Sequence, residues 1–160
     1  MIQLVYESEA TGPVSKDFLA DILTVARRRN GEEGLTGMLI YNDGRFVQVL
    51  EGYEENVIAC FNRIKRDTRH GNIWTLARME IEKRSFAGWT MGLASASGMP
   101  PEITSSLRDF CGVRSRLALL GSSDPKGESA YTARLLNGFL SQFTGPDVPA
   151  EFGNKMETSL

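Results

Sequence analysis

The sequence is short of the residues that staple a fold, bind phosphate or enter a membrane. Its 160 residues include only two cysteines. Cys60 and Cys111 form no metal-ligand spacing, and no secretory signal precedes them, so reduced thiols in the cytoplasm are expected. Lysine and arginine number 18 against 20 acidic residues, a net charge of −2. With no basic excess to attract a phosphate backbone, nucleic acid is not an expected partner. No apolar run approaches the roughly 20 residues a membrane helix needs, so no membrane association is expected either. A nicotinamide-binding fingerprint, a redox cysteine pair and an internal repeat are all missing.

What remains is an ordinary globular composition, 41% hydrophobic and 24% charged, with a length that suits one domain burying its own core. Ile2, Leu4 and Tyr6 alternate with Gln3 and Val5, the pattern of a short opening strand, which Thr11-Gly12-Pro13 breaks. Ser15 is a candidate N-cap for a helix with the apolar stripe Phe18, Leu19, Ile22, Leu23 and Ala26. Arg27 to Arg29 place positive charge at its negative end, and Asn30-Gly31 should stop it. Residues 35–41 and 45–51 are β-rich runs joined by Asn42-Asp43-Gly44, whose Asp-Gly pair suits a tight hairpin. Glu54 and Glu55 open a second helix bearing Val57, Cys60, Phe61 and Ile64 on one face, ended by Arg66, Arg69 and His70 before Gly71. Residues 73–83 and 89–94 complete a set of five strands.

The order β-α-β-β-α-β-β predicts an α+β, ferredoxin-like fold: a mixed five-stranded sheet with two helices on one face. Beyond Pro100, residues 103–113 and 130–143 have helical periodicity, Leu135, Leu136, Phe139, Leu140 and Phe143 forming a stripe, and such helices would cover the other face. The expected division is a ligand-binding domain over 1–97, a helical extension over 98–143, and a flexible tail over 144–160.

Several residues do not fit a bland sheet. In the third strand Phe46, Gln48 and Leu50 share a face, so an amide stands between large apolar groups. Left unpaired in a core, it would cost about 1–3 kcal/mol, so it needs protein partners or the polar edge of a ligand. A solvent-facing Gln48, or one bonded to a neighbouring hydroxyl, is the plainer alternative. Tyr6 can pack its ring but must also place its hydroxyl. The first and third strands are neighbours in this fold, so Tyr6 and Gln48 come within hydrogen-bonding range on the helix-covered face. Asn30 reads most simply as a C-cap, and the cations of Arg63 to His70 as a solvated helix end.

In order along residues 1 to 95, these motifs resemble the BLUF (blue light using flavin) photoreceptor family. Leu4-Val5-Tyr6 is similar to the family's opening strand, whose tyrosine donates an electron and a proton to the excited flavin. Asn30, with Gly34-Leu35-Thr36-Gly37-Met38-Leu39 after it, resembles the helix end and second strand whose asparagine bonds the flavin's carbonyl edge. Phe46-Val47-Gln48-Val49-Leu50-Glu51-Gly52 resembles the motif carrying the switching glutamine. Arg63-Ile64, Asp67 and Arg69-His70 look like the second helix end on the flavin's polar side. Ser85-Phe86 and Trp89-Thr90-Met91-Gly92 resemble the fifth strand, whose Trp and Met approach the Tyr–Gln pair. Two positions depart from the common pattern: Ala26 replaces a frequent serine, and Arg29 a polar residue, often Asn or His.

The resemblance implies a noncovalent FAD or FMN between the two helices, with Ile22 and Ile64 on either side of the ring. The site residues would be Tyr6, Ile22, Asn30, Gln48, Arg63, Ile64, Asp67, Arg69 and His70. It also implies a switch formed by Tyr6, Gln48, Trp89 and Met91: light moves an electron and a proton from Tyr6, and their return leaves Gln48 rotated or tautomerised in a red-shifted state. That state would be relayed to a downstream protein partner or through a homo-oligomer, with no enzymatic turnover. The competing expectations are a flavin-dependent redox enzyme on the same fold and an acylphosphatase-like or regulatory small-molecule binder.

Overall fold

A computed structural model describes residues 1–95, with the backbone alone at Ala94 and Ser95. The helices expected at 103–113 and 130–143, the tail from 144 and the domain boundary at 97 lie outside the described residues. The first strand, β1 (Ile2–Ala10), is buried along its first seven residues and pairs on both sides, which makes it a central strand. It runs four residues past Tyr6 before Thr11 ends it. Helix α1 (Lys16–Glu32) starts as its cap predicts, with Ser15 Oγ accepting the Phe18 N–H at 3.1 Å. Strands β2 (Thr36–Asn42) and β3 (Arg45–Gly52) form the hairpin, turned by Asp43 and Gly44 at φ +46° and +78°. Positive φ at both loop residues is what a two-residue turn with the twist of its strands requires.

Helix α2 (Glu54–Ile64) carries Glu54 and Glu55 in its first turn, and β4 (His70–Glu80) and β5 (Gly92–Ser95) follow. The strand order is β4-β1-β3-β2-β5, with every pair antiparallel except β2 and β5. The fold is therefore the expected α+β, five-stranded mixed sheet with two helices. Ile2, Leu4 and Tyr6 of β1 and Phe46 and Leu50 of β3 form one buried cluster with Leu19 and Leu23 of α1 and Val57, Cys60 and Phe61 of α2. Both helices thus pack on one face, and the alternation of the strands decides which side chains meet them.

Four boundaries differ from those the sequence suggested. Helix α1 continues through Asn30 to Glu32, because the left-handed residue is Gly34 (φ +64°), so Asn30 is a buried helical residue and not a cap. Helix α2 closes at Ile64 with Lys65 as its cap, leaving Arg69 and His70 outside it. Strand β4 spans His70 to Glu80 and not 73–83, since its register follows β1 from Ala10 back to Ile2 and ends where β1 does. Strand β5 begins at Gly92, three residues later than expected, because a turn in which the Trp89 N–H donates to Phe86 O (3.0 Å) precedes it. Trp89 and Met91 therefore stand just before the strand. Among the described residues, no helix is long and apolar enough to cross a membrane.

Candidate functional site

Register brings Tyr6 and Gln48, one on each central strand, together. Tyr6 on β1 is directly opposite Gln48 on β3, on the helix-covered face. Opposed side chains on one face of an antiparallel pair lie within contact range, and here the Tyr6 hydroxyl donates to Gln48 Oε1. Gln48 Nε2 in turn donates to Met91 Sδ at 3.4 Å, a weak acceptor. Tyr6 and Met91 are each 2% exposed and Gln48 7%. The Tyr6 ring is fixed by a tilted contact with Phe61, centroids 5.0 Å apart.

The pair forms the floor of a cleft of about 150 Å³ between α1 and α2. Helical spacing sets the walls: Phe18, Ile22, Val25, Ala26 and Arg29 recur on one side of α1, and Cys60, Arg63 and Ile64 on α2. Tyr6, Ile22, Asn30, Gln48, Arg63, Ile64, Asp67, Arg69 and His70 all line this one cleft. Trp89 does not; its half-buried ring stacks on Phe86 with centroids 5.9 Å apart, while Met91 is the residue beside Gln48. Sequence reasoning passed over Ser8, Val25, Leu39 and Cys60 as lining residues. Two-residue alternation from Tyr6 indicates Ser8, and the pairing of Leu39 with Gln48 indicates the other strand residue, but the latter needs the register.

Polar groups close the ends of the cleft. Asn30, 2% exposed, donates from Nδ2 to the Thr90 carbonyl at 2.7 Å, while its Oδ1 has the Cys60 thiol as a distant donor at 4.0 Å. His70 Nδ1 and Ser8 Oγ share a hydrogen bond of 2.8 Å. Arg69 grips Asp67, its Nη2 2.5 Å from Oδ2, and Arg63 Nη2 lies 2.6 Å from Glu33 Oε2, linking α2 to the end of α1.

Burial is the main cause of the titration shifts of Tyr6, Cys60 and His70. It pushes the Tyr6 phenol well above its ordinary range, with negative charge at Cys60 and Asp67 acting the same way. Burial likewise raises the Cys60 thiol, against the pull of Arg63, and lowers the His70 imidazole, against the pull of Asp67. The Asp67 carboxyl is lowered by its hydrogen bonds from Arg69. At neutral pH Tyr6 is therefore a protonated donor and Cys60 a thiol. An apolar slot with this floor accepts a flat aromatic body whose edge carries hydrogen-bonding atoms.

The comparisons with known proteins agree with that class of site. The model of the BLUF family, described as sensors of blue-light using FAD, matches residues 1–92. The chain belongs to this family, whose domains bind a flavin noncovalently. Among curated relatives, the photoactivated adenylate cyclase subunit beta of Euglena longa is 38% identical over 93 residues, which are 58% of this chain and 11% of that protein. The chain thus spans about a tenth of that relative's length. Among solved structures, BlsA in its photo-activated state superposes with a TM-score of 0.67 at 28% identity, covering 91% of this chain and 96% of that one. BlrP1 of Klebsiella pneumoniae, with FMN and cyclic diGMP, gives 0.62 at 26% identity, covering 89% and 35%.

Proposed function

We propose that this chain is a blue-light sensor that holds FAD or FMN in the cleft between α1 and α2 and switches through Tyr6 and Gln48. The observation that carries the reading is the unused hydrogen-bonding capacity at the polar end of an apolar cleft. Asn30 Oδ1 has a thiol 4.0 Å away as its donor, and Gln48 Nε2 meets a thioether sulfur. Buried amides with such partners are costly unless something else completes them. A flavin ring edge offers both donors and acceptors, so the residues present fit the group. Ile22 and Ile64 would hold the ring from the two helices, Asn30 and Gln48 would meet its edge, and Arg63, Asp67, Arg69 and His70 would border its polar side.

When bound, the flavin supplies absorption of blue light and an excited state that draws an electron. Tyr6 is the phenol lining the cleft, and its raised pKa keeps the proton on it in the dark. Loss of an electron makes a phenol strongly acidic, and the bond to Gln48 is then the proton's way out. When electron and proton have returned to Tyr6, Gln48 is left either rotated, with its amide ends exchanged between Tyr6 and Met91, or tautomerised in place. Met91 passes that change to the start of β5. From there it reaches a protein partner or alters assembly of the chain with its own copies, in the cytoplasm and without turnover.

The test is the absorption spectrum of the purified protein before and after blue light. The parent is expected to be yellow and to show a reversible red shift. Tyr6→Phe keeps the packing and should bind flavin without the shift; Gln48→Leu should bind it with an altered dark spectrum and no normal shifted state. Bleaching in the parent would point to redox turnover, and absence of flavin to a different ligand. Retention of the red shift by both variants would rule out the Tyr–Gln switch.

A further inference from the structure

Between β4 and β5 the chain leaves the sheet, yet the last seven residues of this connection are gripped at both ends. At its start the amide N–H groups of Ser85 and Phe86 each donate to a carboxylate oxygen of Glu51 at 3.0 Å. Glu51 is fully buried, projects from β3 to the face opposite the cleft, and also accepts from Gln3 Nε2 (2.8 Å) and Thr36 Oγ1 (3.3 Å). At its end three successive carbonyls are taken: Trp89 O by the Gly37 N–H (3.0 Å), Thr90 O by Asn30 Nδ2 (2.7 Å) and Met91 O by Arg27 Nε (3.0 Å). Glu51 and Arg27 supply charge-assisted bonds, which are about twice as strong as neutral ones.

Neither Arg27 nor Glu51 lines the cleft. Arg27 is half-buried on α1, and the Met91 carbonyl is its hydrogen-bond partner among the described residues. Its neighbour Arg28 points elsewhere, to Glu32 at 3.2 Å. Fixing the Met91 carbonyl from outside fixes the Cα from which the buried side chain reaches Gln48. The two grips differ in setting: Glu51 is desolvated and takes two N–H groups of the segment among the four hydrogen bonds it accepts, whereas Arg27 holds the Met91 carbonyl by one bond at a half-exposed site, beside the bonds from Gly37 and Asn30.

We propose that Arg27 and Glu51 are positioning residues of the light switch, holding the Ser85–Met91 segment at its two ends so that Met91 Sδ rests against the Gln48 amide. The Glu51 end is the fixed point and the Arg27 end is the one that yields when the amide changes. The inference rests on the switch proposed above, but its structural half can be read in the dark.

The experiment uses the full flavin-loaded chain with methyl-labelled methionine, comparing Arg27→Leu with Arg28→Leu, which removes the same charge one residue away. In Arg27→Leu the Met91 methyl resonance should move in the dark, and return from the lit spectrum should slow about three- to tenfold, the size of one net hydrogen bond at a half-exposed site. Arg28→Leu should match the parent in both. Glu51→Gln, which keeps shape and part of the acceptor capacity, should speed amide exchange at Ser85 and Phe86 by about tenfold. Should Glu51→Gln fail to fold, Arg27→Leu decides alone. A Met91 methyl resonance and a recovery rate in Arg27→Leu equal to those of the parent would overturn the proposal. If the parent has no photocycle, the switch fails, and the methyl resonance and amide exchange still decide whether the segment is held in this way.

Discussion

The two faces of the central strands bury polar groups by opposite rules. On the face away from the helices, Glu51 accepts from Gln3, Thr36 and the amides of Ser85 and Phe86, so its four donors and its carboxylate complete one another. On the helix face, Tyr6 and Gln48 complete each other only in part, since the second end of the Gln48 amide meets sulfur and the Asn30 carbonyl oxygen has a thiol at 4.0 Å. Both sets are centred on β1 and β3, Gln3 and Glu51 against Tyr6 and Gln48, set apart by the alternation of side chains. A satisfied buried network holds a connection in place; an unsatisfied one beside a cleft is built for a ligand.

The comparison breaks most visibly in stability. Glu51→Leu strands the Gln3 amide and the Phe86 N–H in the core, where each unpaired group costs about 1–3 kcal/mol, and frees the part-buried Ser85 N–H, so a loss of about 3 kcal/mol is expected. Gln48→Leu removes the acceptor of a single hydroxyl and should cost about 1 kcal/mol, while abolishing the normal red shift. Urea unfolding of both variants checks the ordering. Equal losses would mean that the helix-face network is structural to the same degree as the other.

An effect smaller than that of Glu51→Leu is expected where the two sets touch. Asn30 belongs to the cleft through Oδ1 and to the β4–β5 connection through its bond to the Thr90 carbonyl. Asn30→Ala should therefore lower the flavin-to-protein ratio after dialysis and also reduce stability by about 1–2 kcal/mol, the cost of a lost buried bond. A variant that loses flavin but melts with the parent would assign Asn30 to the ligand alone.

How much of this was legible in the sequence follows from the range of each interaction. The element order, the hairpin at Asp43-Gly44 and the Ser15 cap are local, set by φ preferences and hydrogen bonds a few residues apart, and they read directly. The Tyr6–Gln48 meeting needed the strand order as well, which the ferredoxin-like pattern supplies. Asn30 was misread as a cap because the left-handed residue beyond α1 is Gly34, and the Thr90 carbonyl that its side chain serves instead lies 60 residues away. The clamp of Glu51 on Ser85 and Phe86 was illegible for the same reason, since nothing local distinguishes a buried strand carboxylate from an exposed one. Phe18, Ile22 and Ala26 of the cleft were visible through helical spacing on α1, whereas Leu39 became visible only with the register.

The faintest difference between the two faces should appear as a dependence on pH. The cleft side includes His70, half-buried and hydrogen-bonded to Ser8, with an imidazole pKa held below its ordinary value by burial. A group whose pKa is lower in the folded protein binds fewer protons there than in the unfolded chain. The stability it preserves is thus complete above about pH 6.5, the unperturbed value, and is lost as pH falls through the folded pKa. Asp67, lowered by Arg69, acts in the same direction but in the carboxylate range, well below this window. Solvent screening at a half-buried site limits the His70 effect to a fraction of a kcal/mol. Urea midpoints at pH 7.5 and 5.5 should fall toward acid in the parent and fall less in His70→Gln, which keeps a neutral partner for Ser8 and cannot titrate. An equal fall in both proteins would place the acid sensitivity elsewhere in the molecule, away from the cleft.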